Sequence, residues 1–235
     1  MSNERRYLKK LNTKLIGRRV HYYKELESTQ DLAVHMAEKK PLNGTVILAE
    51  QQLKGRGTLE RKWISPRGGI WFSVIIRPSI PPEKISFLSL AAALAVCETL
   101  IEKTMLFPKI KWPNDILINH KKVSGILVDA AIMGRKLEYA VVGIGINANV
   151  DVKKIISILG QNSAVTSIKE ELLGKYVNRQ IFLRILFERL EGYLFQLELS
   201  ESGPMVILNK VVERLENSNA RHAIEQMNEM IENLS

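Results

Sequence analysis

Thr45-Val-Ile-Leu-Ala-Glu-Gln-Gln-Leu-Lys-Gly-Arg-Gly-Thr-Leu-Glu-Arg-Lys-Trp63 leads through Ile64-Ser-Pro-Arg-Gly-Gly69 into Ile70-Trp-Phe-Ser-Val-Ile-Ile76. Two short apolar runs flank a segment that carries Lys54, Arg56, Arg61, Lys62 and Arg67 against one acid, Glu60. Runs of this length and composition read as buried strands. Gly55 and Gly57 bracket Arg56, and glycine lets a backbone take positive φ and come close to a ligand. So charged a loop stays exposed, and it is expected to be mobile until something anionic fills it. With Trp63 able to stack on a flat ring, the loop suits the phosphates and base of a nucleotide. A basic surface hairpin is the other reading, and this stretch alone supports both.

Working outward, Val20-His-Tyr-Tyr23 reads as a first strand and Asp31 to Lys40 as a helix. Ser28 or Thr29 is a natural N-cap. Their hydroxyls either only cap the helix or, with the first-turn N–H groups, face a polar ligand. Beyond Ile76, prolines stop the strand, and a helix is predicted over about Glu83 to Lys103, with Leu90, Leu94, Cys97 and Ile101 at helical spacing. Cys97 falls on that core stripe and reads as packing.

Lys111-Trp-Pro-Asn-Asp115 is the second informative cluster. Pro113 breaks a ladder, so Asn114 and Asp115 sit on a tight turn between strands, presenting an amide and a carboxylate. Ile116-Leu-Ile118 is a strand, Asn119 to Lys122 a hairpin turn, and Val123 to Val128 the returning strand, with Lys122 at its start. Gly125 within that strand marks close approach by a ligand or another backbone. Tyr139 to Asn149 is a further strand whose Gly143 and Gly145 leave one face bare, for a flat ligand or a crossing element. Asn147 at its end offers a donor and an acceptor. No third glycine and no helix follow Gly143 and Gly145, so a dinucleotide-binding reading fails.

The composition sets bounds. The chain has 235 residues, 46% of them hydrophobic, enough for a substantial core. One cysteine excludes an internal disulfide framework and fits a reducing cytoplasm. No apolar run looks long enough to span a membrane, and the polar N-terminus carries no signal-peptide core. A net charge of +9 permits nucleotides, nucleic acid or an acidic protein as partners without choosing among them. His35 and His120 are isolated and have no metal-site spacing. Residues 1–18 read as a basic, aperiodic arm.

Gly55-Arg-Gly-x-x-x-Arg61-x-Trp63, Lys111-Trp-Pro-Asn-Asp115, Lys122-x-x-Gly125-Ile-Leu and Gly143-Ile-Gly-Ile-Asn147 occur in this order. In that arrangement they resemble the catalytic domain of biotin protein ligases, over about residues 18–200. The resemblance implies an α+β fold like the class II synthetases: a mixed, mostly antiparallel sheet with helices on one face. It implies two steps, in which biotin and Mg-ATP give biotinyl-5′-AMP and a lysine of a biotin carboxyl carrier protein then attacks the acyl-adenylate. By resemblance, Lys122, Arg61 and Lys111 are catalytic, with Lys122 beside the biotin carboxylate and the α-phosphate. Ser28, Thr29, Gln52, Gly55, Arg56, Gly57, Lys122 and Gly125 line the biotin pocket, Arg56 largely through its backbone. Arg61, Trp63, Lys111, Asn114, Asp115 and Asn147 bind ATP, Trp63 and Asn147 holding adenine. Asn114 and Asp115 also position Mg²⁺.

Three departures stand out. Thr58 occupies a position where the family usually has an arginine that contacts the intermediate. Leu127-Val128-Asp129 replaces Leu-Val-Glu. From Pro204 onward the pattern is helical, with Leu208, Val212 and Leu215 on one face and Ile224, Met227, Ile231 and Leu234 on another, where relatives carry a small SH3-like barrel. The expected organisation is therefore a catalytic domain over 1–200 and a helical tail over 201–235. Fewer than ~20 residues precede the catalytic domain, too few for a helix-turn-helix. The resulting expectation is a cytoplasmic, monofunctional ligase with no DNA or membrane partner, and with homodimerisation left open. A lipoate ligase of the same fold and a non-catalytic nucleic-acid binder are the alternatives.

Overall fold

The computed structural model describes residues 11–217 and 220–232; the calls on residues 1–10 and on Leu234 lie outside the described residues. Seven strands form one sheet in the order β1-β2-β3-β7-β6-β5-β4. They are β1 Val20–Tyr23, β2 Thr45–Ala49, β3 Ile70–Ile76, β4 Lys109–Lys111, β5 Asp115–Ile118, β6 Lys121–Met133 and β7 Lys136–Ile146. Only the β1–β2 pair is parallel; the remaining pairs are antiparallel. The β5–β6 hairpin turns through Asn119 and His120, both at positive φ (48° and 61°), the geometry of a tight two-residue hairpin loop.

The helices are α1 Thr29–Glu38, α2 Ser86–Thr104, α3 Val152–Leu159, α4 Ile168–Glu171, α5 Arg179–Leu199, α6 Gly203–Val212 and α7 Ala220–Glu232. One sheet face presents Leu48, Phe72, Val74, Val142, Ile144 and Ile126 to α2, α5 and α6. The opposite face is covered over part of its width by α1, through Ala33 and Ala37 against Ile47, Ile75 and Val141. The larger helices thus lie on one face, as expected, and the short α1 on the other.

Helix α2 is buried almost all round, not along one stripe. Phe87, Leu88 and every residue from Leu90 to Cys97 are buried, while Ile101 lies at the surface. This corrects the sequence reading in one respect: Pro82–Thr104 is long and apolar enough to cross a membrane by length and composition. It is the central core helix, enclosed by the sheet, α5 and α6. Burial also pushes the Cys97 thiol up to about 12.

The tail is helical and joins the main core. Ile207, Leu208 and Val211 of α6 and Ala223 and Met227 of α7 are buried. Leu208, Leu215 and Met227 are buried as expected, but Val212 and Ile224 are half exposed, and the neighbouring Val211 and Ala223 are buried in their place. Leu215, just after α6, pairs with the edge strand β4: Ile110 N donates to Arg214 O at 2.7 Å and Glu216 N to Ile110 O at 2.8 Å. The arm is also partly anchored. The N–H groups of Lys14, Leu15 and Ile16 all donate to the buried carboxylate of Glu191 on α5 (2.6, 2.7 and 2.7 Å).

Candidate active site

The strand register builds the floor. Residues directly paired across strands point to the same face. Ala49, Trp71, Gly145, Gly125 and Asp115 therefore form one row across β2, β3, β7, β6 and β5. Ile47, Ser73, Gly143 and Leu127 form the next. The two rows lie on the face that α1 only partly covers, and their glycines make the shallow part.

The bare face is not open to a flat ligand in this conformation, because the protein's own side chains fill it. A Cβ on Gly143 would come within 2.3 Å of Gln30 Oε1, and one on Gly145 within 2.4 Å of Trp63 Nε1. The Trp63 indole lies on Gly145 and Gly125, edge-on to Trp71 (6.3 Å, 73°), with Lys122 Nζ 5.0 Å from its ring centroid. Gly55 carries Trp63 on its backbone: Trp63 N donates to Gly55 O, and a Cβ at Gly55 would meet Trp63 O at 2.4 Å.

Two cavities flank Trp63. The inner one, about 40 Å³, is walled by Thr29, Gln30, Gln52, Arg56 and Ser73 over the glycine floor. The outer one, about 410 Å³, lies between the loop and α3 and is bounded by Arg61, Asn147, Ile155, Leu159 and Val165. Gly57, Thr58, Trp63, Asp115 and Lys122 border both.

At that shared wall Lys122 Nζ lies 2.6 Å from Asp115 Oδ1. Lys122 is fixed through its backbone as well, donating to Ala164 O and accepting from Thr166 N. Asn114 is committed to the fold: its Nδ2 donates to Ile126 O, and its carbonyl accepts from Ile126 N. Asn147 is buried, with Nδ2 donating to Thr166 O and Oδ1 left without a partner among the described residues. A buried unpaired acceptor on a cavity wall is suited to a ligand's N–H.

Ser28 caps α1, its hydroxyl accepting from Asp31 N at 3.2 Å. It borders neither cavity, and neither does Lys111, which is exposed on β4. Gly55 borders a third, outward-facing hollow behind the loop. Gln52 holds the helix N-terminus in place, accepting from Thr29 N at 2.7 Å and donating to Ser65 Oγ at 2.8 Å. Arg56 turns its guanidinium to Asp31 (2.7 Å) and Asp129 (3.2 Å). Partial burial works against its charge, but these two carboxylates outweigh that and raise its pKa.

Gln30, Ser73 and Asp129 were not singled out as site residues by sequence reasoning. The available signal was weak: Ser73 is the one polar residue in the wholly buried β3, and Gln30 follows the capping pair. Among the described residues no group of three His, Cys, Asp or Glu side chains is placed to hold a metal. Asp115 is the one carboxylate at the shared wall, and it is already paired with Lys122.

The site is thus a sheet-floored cleft whose two cavities share one cationic side chain, Lys122. A profile of the biotin/lipoate A/B protein ligase family matches residues 22–147. The chain belongs to that family. It is 41% identical over 140 residues to the bifunctional ligase/repressor BirA of Bacillus subtilis, covering 59% of this chain and 43% of that protein. It is 29% identical over 219 residues to biotin–protein ligase 2 of Arabidopsis thaliana, covering 86% of this chain and 64% of that one. The chain thus spans less than half the length of the Bacillus relative. Among solved structures it is similar to the biotin protein ligase of Aquifex aeolicus in complex with biotin and ATP. That match has a TM-score of 0.69 and 32% identity, covering 84% of this chain and 78% of that one.

Proposed function

We infer that this chain activates biotin with ATP to give biotinyl-5′-AMP and pyrophosphate, and then passes the biotinyl group to a lysine of a biotin carboxyl carrier protein. The observation that carries this is the placement of Lys122 on the wall common to the two cavities. With Trp63 and the loop moved off the glycine floor, biotin's ring takes the inner cavity and the nucleotide the outer one, so the carboxylate and the α-phosphate meet at the ammonium.

In the first step a biotin carboxylate oxygen bonds to the α-phosphorus as the bond to pyrophosphate breaks. Both partners are anionic, and negative charge concentrates between them in the transition state. A fixed cation there stabilises that state more than the separated substrates. Lys122 acts as this cation without accepting a proton. Arg61, on the outer wall, faces the phosphates. Asn147 Oδ1 accepts from the adenine amino group, and Trp63 supplies the ring surface beside it. In the second step the carrier's amine attacks the acyl carbon and AMP leaves.

Mg²⁺ enters this reading as part of the Mg-ATP substrate. Magnesium sites on phosphates commonly use one or two carboxylates, and Asp115 can offer one oxygen beside Asn114. The set fits an ion that arrives on the triphosphate, not a protein cage. The division into a catalytic part over 1–200 and a tail over 201–235 is one of function within this reading, and a cytoplasmic location goes with its use of ATP. Among the loop's basic residues Arg56 and Lys54 are already paired with carboxylates, which disfavours the nucleic-acid reading.

The test is biotin-dependent exchange of pyrophosphate into ATP by the purified chain, followed by transfer of labelled biotin to a carrier protein. No exchange with biotin, alongside exchange with lipoate or octanoate, would replace this reading by that of a lipoate-type ligase.

A further inference from the structure

Four side chains beneath the inner cavity form a hydrogen-bonded series whose direction is set by their chemistry. Gln30 Nε2 donates to Asp129 Oδ2 at 3.1 Å and to Val141 O at 3.0 Å. A carboxylate and a carbonyl are acceptors only, so turning the Gln30 amide over would set its oxygen against both. Its Oε1 therefore faces Ser73 Oγ, 2.9 Å away, and takes that hydroxyl's proton. Ser73 Oγ also lies 3.0 Å from Thr29 Oγ1. A serine has one proton, and this one is used on Gln30. The contact between the two hydroxyls is then made with the proton of Thr29.

Ser73, Gln30 and Thr29 are all buried, so each of these groups must find its partner inside the series. Thr29 borders the inner cavity, and what it has left to offer there is a lone pair. The far end of the series is held by the loop: Arg56 sits 3.2 Å from Asp129. Gly143 completes the arrangement, since any side chain there would displace the Gln30 amide.

We propose that Gln30 and Ser73 are positioning residues that fix Thr29 as a hydrogen-bond acceptor, so that the inner cavity selects an acyl substrate bearing an N–H donor. A cyclic urea satisfies this; a saturated acyl chain or a dithiolane does not. The inference rests on the biotin-activating reading and sharpens it, because the family spans biotin and lipoate ligases.

The experiment is pyrophosphate exchange by the full chain with biotin and with the two cyclic carbamates in which one ureido N–H or the other is replaced by ring oxygen. For the parent chain, kcat/KM with biotin should exceed that with the carbamate whose oxygen meets Thr29 by roughly 10- to 100-fold, the cost of facing two buried acceptors. Gln30→Met removes the acceptor for Ser73. Ser73 can then donate to Thr29, and Thr29 can turn its own proton into the cavity. The biotin-to-carbamate ratio should narrow at least about fivefold, through KM more than kcat. Ser73→Ala frees the Thr29 proton by a smaller change and should narrow the same ratio; it decides the question if Gln30→Met does not fold. A variant that is merely loosened would lose activity on both substrates alike. An unchanged ratio in the folded variants, with the parent active on biotin, overturns the series alone. A parent chain inactive on biotin overturns the activity and this inference together.

Discussion

Lys122 and Asp115 face one another from neighbouring strands, Nζ to Oδ1 at 2.6 Å, on the wall where the two cavities meet. The register Asp115↔Gly125 puts the carboxylate on the site face, and the hairpin turn before β6 brings the lysine to it. Both side chains are only partly exposed. The ammonium is therefore held in place before any substrate arrives, and little reorganisation is needed when charge develops. Lys122→Ala should lower biotin-dependent pyrophosphate exchange by orders of magnitude, about 3 kcal/mol in barrier, with the circular dichroism spectrum unchanged. Near-normal exchange in a folded variant would remove Lys122 from the mechanism.

The loop must open to admit substrate. The inner cavity of about 40 Å³ has room for a few waters, and Trp63 lies across the glycines that floor it. Biotin or biotinyl-AMP should therefore change the exposure of residues 53–63 and protect them from proteolysis once the loop closes over ligand. Hydrogen exchange read with and without biotin should differ there and little elsewhere; identical protection would speak against closure. Thr58→Arg, which restores the family's usual residue, should slow release of biotinyl-AMP.

The tail supports the motif turn. Gln226 of α7 accepts from the Trp112 indole N–H, His120 pairs with Glu216 at 2.7 Å, and Leu215 extends the edge of β4. Gln226→Ala should cost about 1 kcal/mol in urea unfolding and raise KM for ATP more than KM for biotin. Deleting 204–235 removes α6, which packs on both α2 and α5. It should lower the melting temperature sharply, and a truncated chain of parental stability would show that the tail is dispensable.

Glu191 anchors the arm by accepting three backbone N–H groups. Glu191→Gln would turn an amide donor toward those donors and remove the charge. A loss of about 3 kcal/mol is expected, read from the urea midpoint, with cleavage near residues 14–16 appearing in limited proteolysis.

Cys97 gives a pH signature. Burial pushes its thiol from 9.0 to about 12 in the folded protein. The folded state then holds this proton more tightly than the unfolded chain, so stability falls as pH rises from about 9 toward 12. Cys97→Ala should remove that component of the alkaline decline. In the native state below pH 9 the thiol should resist alkylation until the protein unfolds.

The sequence by itself determined much of this protein. Alternating and continuous apolar runs marked the strands. The glycine loop, the Lys111–Asp115 turn and the β5–β6 hairpin were legible because turns are local chemistry, written in Gly, Pro and Asn at fixed spacing. Ser28 could be read as a cap for the same reason. The helical tail was legible from its periodicity, although its buried stripe was misplaced at Val212 and Ile224, because the face that packs is chosen by α2 and α5, not by the helix itself. What only the tertiary structure decided is long-range. The meeting of Asp115 and Lys122 depends on strand register, as does the row that joins Ala49, Trp71, Gly145, Gly125 and Asp115. The filling of the glycine face by Gln30 and Trp63, and the series from Asp129 to Thr29, join residues far apart in sequence: Gln30 bonds Asp129 and Val141, 99 and 111 positions away. No local pattern encodes such contacts: each residue alone reads as an ordinary core, turn or helix residue, and its role exists only once the sheet has closed around it.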